Sequence, residues 1–458
     1  MGRLFSRTTL ALAASKSVSR LSGWMRAGGG TSLPGKTARR IDPDLLRKLG
    51  AGMARPAIAV TGVNGKTTTC GLLAQFLRED GARVAHNELG ANMIAGITAA
   101  LAAQSDWDGT LKSDVAVLEI DEASLRHVAR EVPIDRLVVT NLFRDQLDRY
   151  GELDMTARMI REGIAASRVP SGGPLFLNAD DPLVCALGDA AERVSYFGTQ
   201  TITYAHPVAI ASDAPFPSEA TPCPRCAAPV RYRERIYGHL GHFDCPSCGQ
   251  FERPQPDIVA ESVHVTPNGS EVTIFANGTR FSLHLPLPGL FNVYNLLAAV
   301  SVALEAGVAP EAIARGVANY QGVFGRAERK TIRGRDVRIF LIKNPVGATE
   351  VLRLVGGDPN GRLLIALNDN YADGRDVSWI WDAGFEALAA QTRPVIISGK
   401  RAADMAVRLK YAGVASERLR VEPDLRRAVG HAVADTSQQE TLYVLPTYTA
   451  LLALREIL

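Results

Sequence analysis

The stretch "VTGVNGKTTT" at residues 60–69 constrains this chain more than any other, because it follows the apolar run "AIAV" and opens a helical pattern. Glycines at 62 and 65 let backbone amides approach phosphate oxygens at a helix N-terminus, where the helix dipole favours negative charge. Lys66 is placed to reach the terminal phosphates, and Thr67 offers a hydroxyl to Mg²⁺. Asn64 and Thr68 complete the loop around them. The common phosphate-loop pattern has another glycine at position 60, where this chain has valine. The strand–loop–helix context still marks a nucleoside triphosphate site.

Such a loop needs a parallel sheet behind it, and the chain keeps that rhythm. The runs "VAVLEID", "RLVVTN" and "PLFLNADD" are apolar and each closes on polar residues, at the strand ends where ligands bind in these sheets. They place Glu119 to hold Mg²⁺, with Asp121 and Glu122 beyond it. Asn141, Asp145 and Asp148 follow the next strand, and Asn178 and Asp181 the one after, available to a base or ribose. Each alone is equally well a cap or a solvated turn; together, after consecutive strands, they outline one cleft.

A chain of 458 residues is too long for one core, and two or three domains are expected. Residues 1–50 read as a partly loose lead-in with a short helix around 42–49. Residues 51–322 form the ATP-binding domain, broken at about 205–256 by a Pro- and Cys-rich insertion and closed by a helix from about 293 to 305. Residues 323–458 start a second α/β rhythm ("VRIFLIKN", "RLLIAL", "PVIISG", "TLYVLP"). Hydrophobic content of 46% and charged content of 22% suit a globular protein. A net charge of +3 gives no reason to expect nucleic acid. No uncharged run reaches the roughly 18 apolar residues of a spanning helix. The N-terminus makes a poor export signal, so the protein is expected in the cytoplasm.

The insertion carries "CPRCAAPVRYRERIYGHLGHFDCPSCGQ". Two CxxC knuckles, Cys223 with Cys226 and Cys245 with Cys248, have the spacing of a tetrahedral zinc–thiolate site. His239 and His242 lie between them, but four thiolates already fill the shell, so the zinc is structural and has no open position. Ordering of a core-poor insertion by zinc is worth about 10–16 kcal/mol in zinc-finger peptides. The remaining cysteines, Cys70 and Cys185, sit in apolar helical stretches and read as core residues rather than nucleophiles.

In order and spacing, TGxNGKTTT, the strand ending in Glu119, "TNLFRDQLDRYG", "NADDP", "GLFNVYNLLAA" and "GRAER" resemble the Mur ligases and folylpolyglutamate synthases. The fold implied is a Mur-ligase-like central ATPase with a parallel-rich sheet, a zinc-ribbon insertion and a C-terminal Rossmann-like α/β domain. The activity implied is ATP-dependent conversion of a carboxylate to an acyl phosphate that an amine attacks. The resemblance also implies that Asn292 and Asn295 join the nucleotide contact and that Arg326 neutralises phosphate charge. Four departures narrow it. Gln146 and Phe291 stand where histidines are usual, and no lysine lies between Lys112 and Lys330, so a carbamylated lysine is absent. Only about 60 residues precede the phosphate loop, too few for the usual domain that binds a UDP-sugar.

The four-cysteine ribbon, "GGTSLPG" at 29–35 and "NDNYADGRDVSWIWD" at 368–382 resemble the MurT family. Those proteins are synthetase subunits that work with a GatD-type glutaminase on lipid II at the inner face of the cell membrane. The resemblance implies amidation of the α-carboxylate of D-glutamate, with ammonia made by the partner. It also implies that a C-terminal aspartate completes the partner's Cys–His–Asp triad. Asp369, at the end of "RLLIAL", is the first choice, with Asp376 and Asp373 as alternatives; turn-capping by all four aspartates is the plain reading. Lys343 and Asn344, in "LIKNPVG", are candidate substrate or phosphate contacts. Two rivals stand beside this: a stand-alone amino-acid ligase of the Mur or folylpolyglutamate type, and a non-enzymatic zinc-ribbon ATPase that binds nucleic acid.

Overall fold

The computed structural model describes residues 6–24, 32–87, 91–143, 153–205, 222–322, 326–358, 360–390 and 392–458. The first α/β rhythm yields β1 (Ala57–Thr61), β2 (Val84–His86), β3 (Val115–Glu119), β4 (Ile134–Val139), β5 (Pro174–Asn178) and β6 (Arg193–Tyr204). A separate hairpin follows, β7 (Arg231–Tyr237) and β8 (Leu240–Asp244), and then β9 (Ile258–Thr266), β10 (Gly269–Ala276) and β11 (Thr279–Leu285). Nine strands share one sheet in the order β11-β10-β9-β6-β5-β4-β1-β3-β2. Every neighbour from β2 to β9 is parallel, and β10 and β11 add an antiparallel edge.

β1, β3 and β5 are buried at every position, as strands covered on both faces must be. Successive side chains of β1 point to opposite faces: Ile58 and Val60 join one core, Ala57 and Ala59 the other. Helices Lys66–Glu79 and Leu290–Glu305 line the first core. From β1 the chain runs out to β2 and β3 on one side and then returns to β4 on the other. Strand order therefore reverses at β1, which opens a crevice at its carboxyl end, where the phosphate loop begins.

The lead-in expected to be partly loose is helical over Arg7–Trp24, Leu33–Ile41 and Leu45–Ala51. Ala11, Leu12, Ala38, Leu45, Leu46 and Leu49 are fully buried in the second core. Gly35 makes this packing possible, since a Cβ there would lie 1.8 Å from the Ala95 carbonyl oxygen of helix Ile94–Ala103.

The second rhythm forms β12 (Arg326–Ile332), β13 (Arg335–Phe340), β14 (Gly361–Ala366), β15 (Val395–Ser398), β16 (Leu419–Val421) and β17 (Thr441–Pro446). They make a six-stranded sheet in the order β12-β13-β17-β14-β15-β16, parallel except for β12. The expected boundary at 323 falls on residues 323–325, outside the described residues. Among the described residues, no helix is long and apolar enough to cross a membrane.

Because Leu12 is fully buried, Leu12→Ala should lower unfolding stability by about 2–5 kcal/mol. Urea denaturation measures it, and a loss below about 0.5 kcal/mol, the range of a surface substitution, would place the first helix outside the core.

Candidate active site

The phosphate loop runs from the end of β1 to helix Lys66–Glu79, and its two glycines adopt φ values closed to most side chains, +117° at Gly62 and +87° at Gly65. A Cβ at Gly65 would lie 1.9 Å from Oδ1 of Asn295, and one at Gly62 would lie 2.4 Å from Oγ1 of Thr140. Asn141 and Thr140 fix the loop's shape. The Asn64 amide donates to Asn141 Oδ1 at 2.8 Å, while the Asn64 carbonyl accepts from Asn141 Nδ2 at 3.0 Å and Thr140 Oγ1 at 2.8 Å.

Lys66 is buried, and its ammonium pairs with Glu122 at 2.7 Å while donating to the Gly62 carbonyl at 2.6 Å. Burial works against that charge, but the Glu122 and Glu119 carboxylates outweigh it and hold the ammonium above the ordinary lysine value. Burial likewise pushes the Glu122 carboxyl up, against the pull of Lys66. Glu119, at the end of β3, accepts from Thr67 Oγ1 at 2.5 Å and from Asn92 Nδ2 at 3.0 Å. Asn87 holds the Glu119 backbone through both its amide and its carbonyl. Thr67 and Glu119 thus stand together as hard oxygen ligands suited to Mg²⁺. The sequence did not reveal Asn87 or Asn92, nor that Glu122 is the counter-charge of Lys66. Asp121 caps helix Glu122–Val128 through the Ala123 amide.

The other expected contacts divide. Asn295 lies against Gly65, and Asn292, one turn away, accepts from it at 3.2 Å and donates to the Pro288 carbonyl. Asn178 and Asp181 are fully buried and already engaged. Asn178 donates to the Thr140 carbonyl, while Asp181 caps helix Pro182–Cys185 and accepts from the Leu142 amide at 2.9 Å. Both support the loops around the cleft. Asp145, Gln146 and Asp148 lie outside the described residues; Arg326 opens β12, and its side chain lies outside them too.

The C-terminal domain meets the phosphate loop directly. Lys343 Nζ donates to the Val63 carbonyl at 3.3 Å, and Asn344 Nδ2 to Asn64 Oδ1 at 3.1 Å. Asn344 also caps helix Pro345–Gly356 through the Gly347 amide at 2.9 Å, so the contact is built into a helix start.

In the insertion, the four cysteine sulfurs lie within 4.8 Å of one another, with Cys226–Cys245 at 3.5 Å and Cys223–Cys248 at 3.7 Å. Those separations match the ~3.8 Å edge of a tetrahedron with metal–sulfur arms of ~2.3 Å, so the set fits zinc. His239 and His242 point elsewhere, to Asp181 at 3.1 Å and to the Thr199 carbonyl at 3.0 Å. Cys70 and Cys185 are buried, and burial raises the Cys185 thiol well above its ordinary range.

The acidic loop after β14 separates its aspartates by environment. Asp373 is buried and accepts from the Thr449 amide at 2.7 Å and the Thr449 hydroxyl at 2.5 Å, which makes it a turn-holder. Asp376 accepts from the Ser378 amide at 2.8 Å on an exposed turn. Asp369 is partly exposed and lies 3.7 Å from Arg401. Trp381 is half exposed and meets the exposed Tyr411 edge-on at 5.7 Å.

A family profile described as Mur ligase middle domain matches residues 60–210 and 248–303, and one described as MurT ligase C-terminal matches residues 341–451. The chain is 37% identical over 431 residues to the lipid II isoglutaminyl synthase (glutamine-hydrolyzing) subunit MurT of Staphylococcus aureus (strain COL), covering 93% of this chain and 92% of that one. It is 37% identical over 456 residues to the subunit of the same name from Streptococcus pneumoniae (strain ATCC BAA-255 / R6), covering 99% and 97%. A solved pseudomurein peptide ligase type C from Methanothermus fervidus shares the fold, with a TM-score of 0.68 at 23% identity over 88% of this chain and 78% of that one.

Glu122→Gln takes from the buried Lys66 ammonium its directly paired carboxylate, leaving only the more distant Glu119 and Asp121, and should lower stability by about 3–5 kcal/mol. It also removes the group that competes with phosphate for Lys66, so the rise in melting temperature on adding ATP should exceed that of the wild type. An equal or smaller rise shows that Glu122 does not compete with nucleotide. Metal analysis should find about one zinc per chain, lost in Cys245→Ser; a wild type purified without zinc contradicts the assignment.

Proposed function

We propose, because the chain belongs to the MurT family of lipid II isoglutaminyl synthase subunits, that it amidates the α-carboxylate of D-glutamate in the lipid II stem peptide to D-isoglutamine at the expense of ATP. The carboxylate oxygen attacks the γ-phosphorus and the bond to the ADP oxygen breaks, giving an acyl phosphate. Ammonia then attacks the carbonyl carbon and phosphate leaves. The observation that carries this reading is the contact of Lys343 and Asn344 with the phosphate loop, which brings the MurT-type C-terminal domain onto the nucleotide site.

Catalysis of phosphoryl transfer is mostly positioning and charge neutralisation, and the residues suit both. Gly62, Asn64, Gly65 and Thr68 shape the loop for the phosphates, and Asn292 and Asn295 close it from helix Leu290–Glu305. Lys66 exchanges Glu122 for a phosphate oxygen, and Lys343 turns from the Val63 carbonyl to the charge in flight, with Arg326 assigned to the same cleft. Mg²⁺, held by Thr67 and Glu119, supplies charge neutralisation when bound. Asn178 and Asp181 support the nucleotide pocket from beneath. The working units are residues 51–322 for ATP and 323–458 for the partner and substrate.

Neither Cys70 nor Cys185 is accessible as a glutaminase nucleophile, which favours ammonia from a GatD-type partner. Asp369 is our choice for the carboxylate that orients the partner's histidine, because it is partly exposed and Arg401, 3.7 Å away, lies closer to Asp404, at 3.3 Å. Asp376 is the alternative, and Asp373 is disfavoured by its three-way tie to Asn370 and Thr449. The complex works in the cytoplasm at the inner membrane face, where the headgroup of lipid II is presented.

The test is amidation of lipid II by the chain and its glutaminase partner, with glutamine or with ammonium as donor. Asp369→Asn should abolish glutamine-driven amidation, by about 10⁴-fold as for a lost triad carboxylate, and keep ammonium-driven amidation. Loss with both donors removes Asp369 from the partner's triad; amino-acid addition without amidation makes the chain a stand-alone ligase.

A further inference from the structure

The zinc ribbon reaches further than its own knuckles. Its hairpin turns at Gly238, between β7 and β8, and that turn lies in the seam between the two domains. A Cβ on Gly238, whose φ is +57°, would stand 3.1 Å from the Phe143 ring and 3.2 Å from Cγ1 of Val346. Phe143 follows β4 and sits two residues from Asn141, which clamps the phosphate loop. Val346 is in the first turn of helix Pro345–Gly356, two residues from Asn344, which contacts the same loop from the other side. Ile236, Tyr237 and Leu240 join Val63, Phe143 and Val346 in one buried cluster. Tyr237 meets Phe143 at 5.7 Å and Tyr294, of helix Leu290–Glu305, at the same ring separation.

The turn is tied down as well as packed. His239 reaches Asp181 at 3.1 Å, and the other Asp181 oxygen accepts from the Leu142 amide, next to Phe143. The Gly241 amide donates to the Asp180 carbonyl at 2.8 Å, and Arg253, beyond the second knuckle, donates to the Asp180 carboxylate at 2.6 Å. At its base the ribbon packs Cys223, Val230, Phe243 and Phe251 against Cys185. The hairpin spans 14 residues from Arg231 to Asp244, and the cysteine cluster stands at its base.

We propose that the ribbon is a positioning wedge: the zinc-bound cluster holds the Tyr237–Gly238–His239 turn against Phe143 and Val346, and so sets how the C-terminal domain docks on the phosphate loop. The ordered cluster has a long-range consequence because both faces of the wedge lead within two residues to a side chain touching Asn64. The coupling is physical contact throughout, through packed rings, a buried His–Asp pair and a helix cap, which is the kind of route that carries energetic coupling. The functional consequence rests on the phosphate loop being the ATP site, but the docking of the domains does not.

Hydrogen exchange on the full chain separates the two. In Cys226→Ser, which removes an exposed zinc ligand, amide exchange across residues 341–350 should rise about tenfold, while β14 and β15 keep wild-type protection. Gly238→Val leaves all four cysteines in place. It should retain zinc, raise exchange in 341–350 and weaken binding of a non-hydrolysable ATP analogue about tenfold. If both variants confine their change to residues 222–256, the ribbon is a self-contained module and the proposal fails. If exchange rises in 341–350 but analogue affinity is unchanged, docking depends on the ribbon and its effect on nucleotide binding fails; a wild type that binds no analogue overturns the nucleotide reading of the loop instead.

Discussion

The left-handed backbone at Gly65 is the constraint on which the rest of the cleft depends. Only the absence of a Cβ there lets Asn295 lie against the start of helix Lys66–Glu79. That approach brings helix Leu290–Glu305 onto the phosphate loop at a helix N-terminus, where the helix dipole favours negative charge. Lys66 is then largely buried, and its charge is met by Glu122. The lysine and its carboxylate thus form a charge-balanced pair at the start of the helix.

Around that point the structure brings three elements of different origin into contact. The central domain contributes the loop and its Thr140 and Asn141 clamp, the C-terminal domain contributes Lys343 and Asn344, and the inserted hairpin fills the space between Phe143 and Val346. A ligase that passes an acyl phosphate to ammonia needs a dry, closed cleft, since water would otherwise take the phosphate's place. Here two domains meet over the loop through Lys343 and Asn344, with an aromatic turn in the seam.

The parts legible in the sequence were those fixed by local rules. Alternation of apolar runs with helices gave both sheets, because a strand buried on both faces leaves a continuous apolar run. The phosphate loop was visible because glycine, lysine and threonine must fall at fixed offsets, and the four-cysteine cluster because two CxxC turns bring four thiols together. What could not be read depended on distant partners. Nothing local distinguishes Glu122, which pairs with Lys66, from Asp121, which caps its own helix. Asn178 and Asp181 carry the polar strand-end signature of ligand residues, yet both are buried among backbone groups that they hold in place. Of the N-terminal helices the one near 42–49 was legible, while Arg7–Trp24 was hidden because its apolar residues are too scattered to announce a core face, although Ala11 and Leu12 are fully buried.

The measurement that tests the central claim most directly is the fate of a heavy-oxygen label. Lipid II carrying the label in the α-carboxylate of its D-glutamate, amidated by the complete enzyme with ATP, should release inorganic phosphate that has acquired one labelled oxygen. That transfer requires an acyl phosphate at this carboxylate. Phosphate free of label, with amidated product formed, would contradict the account.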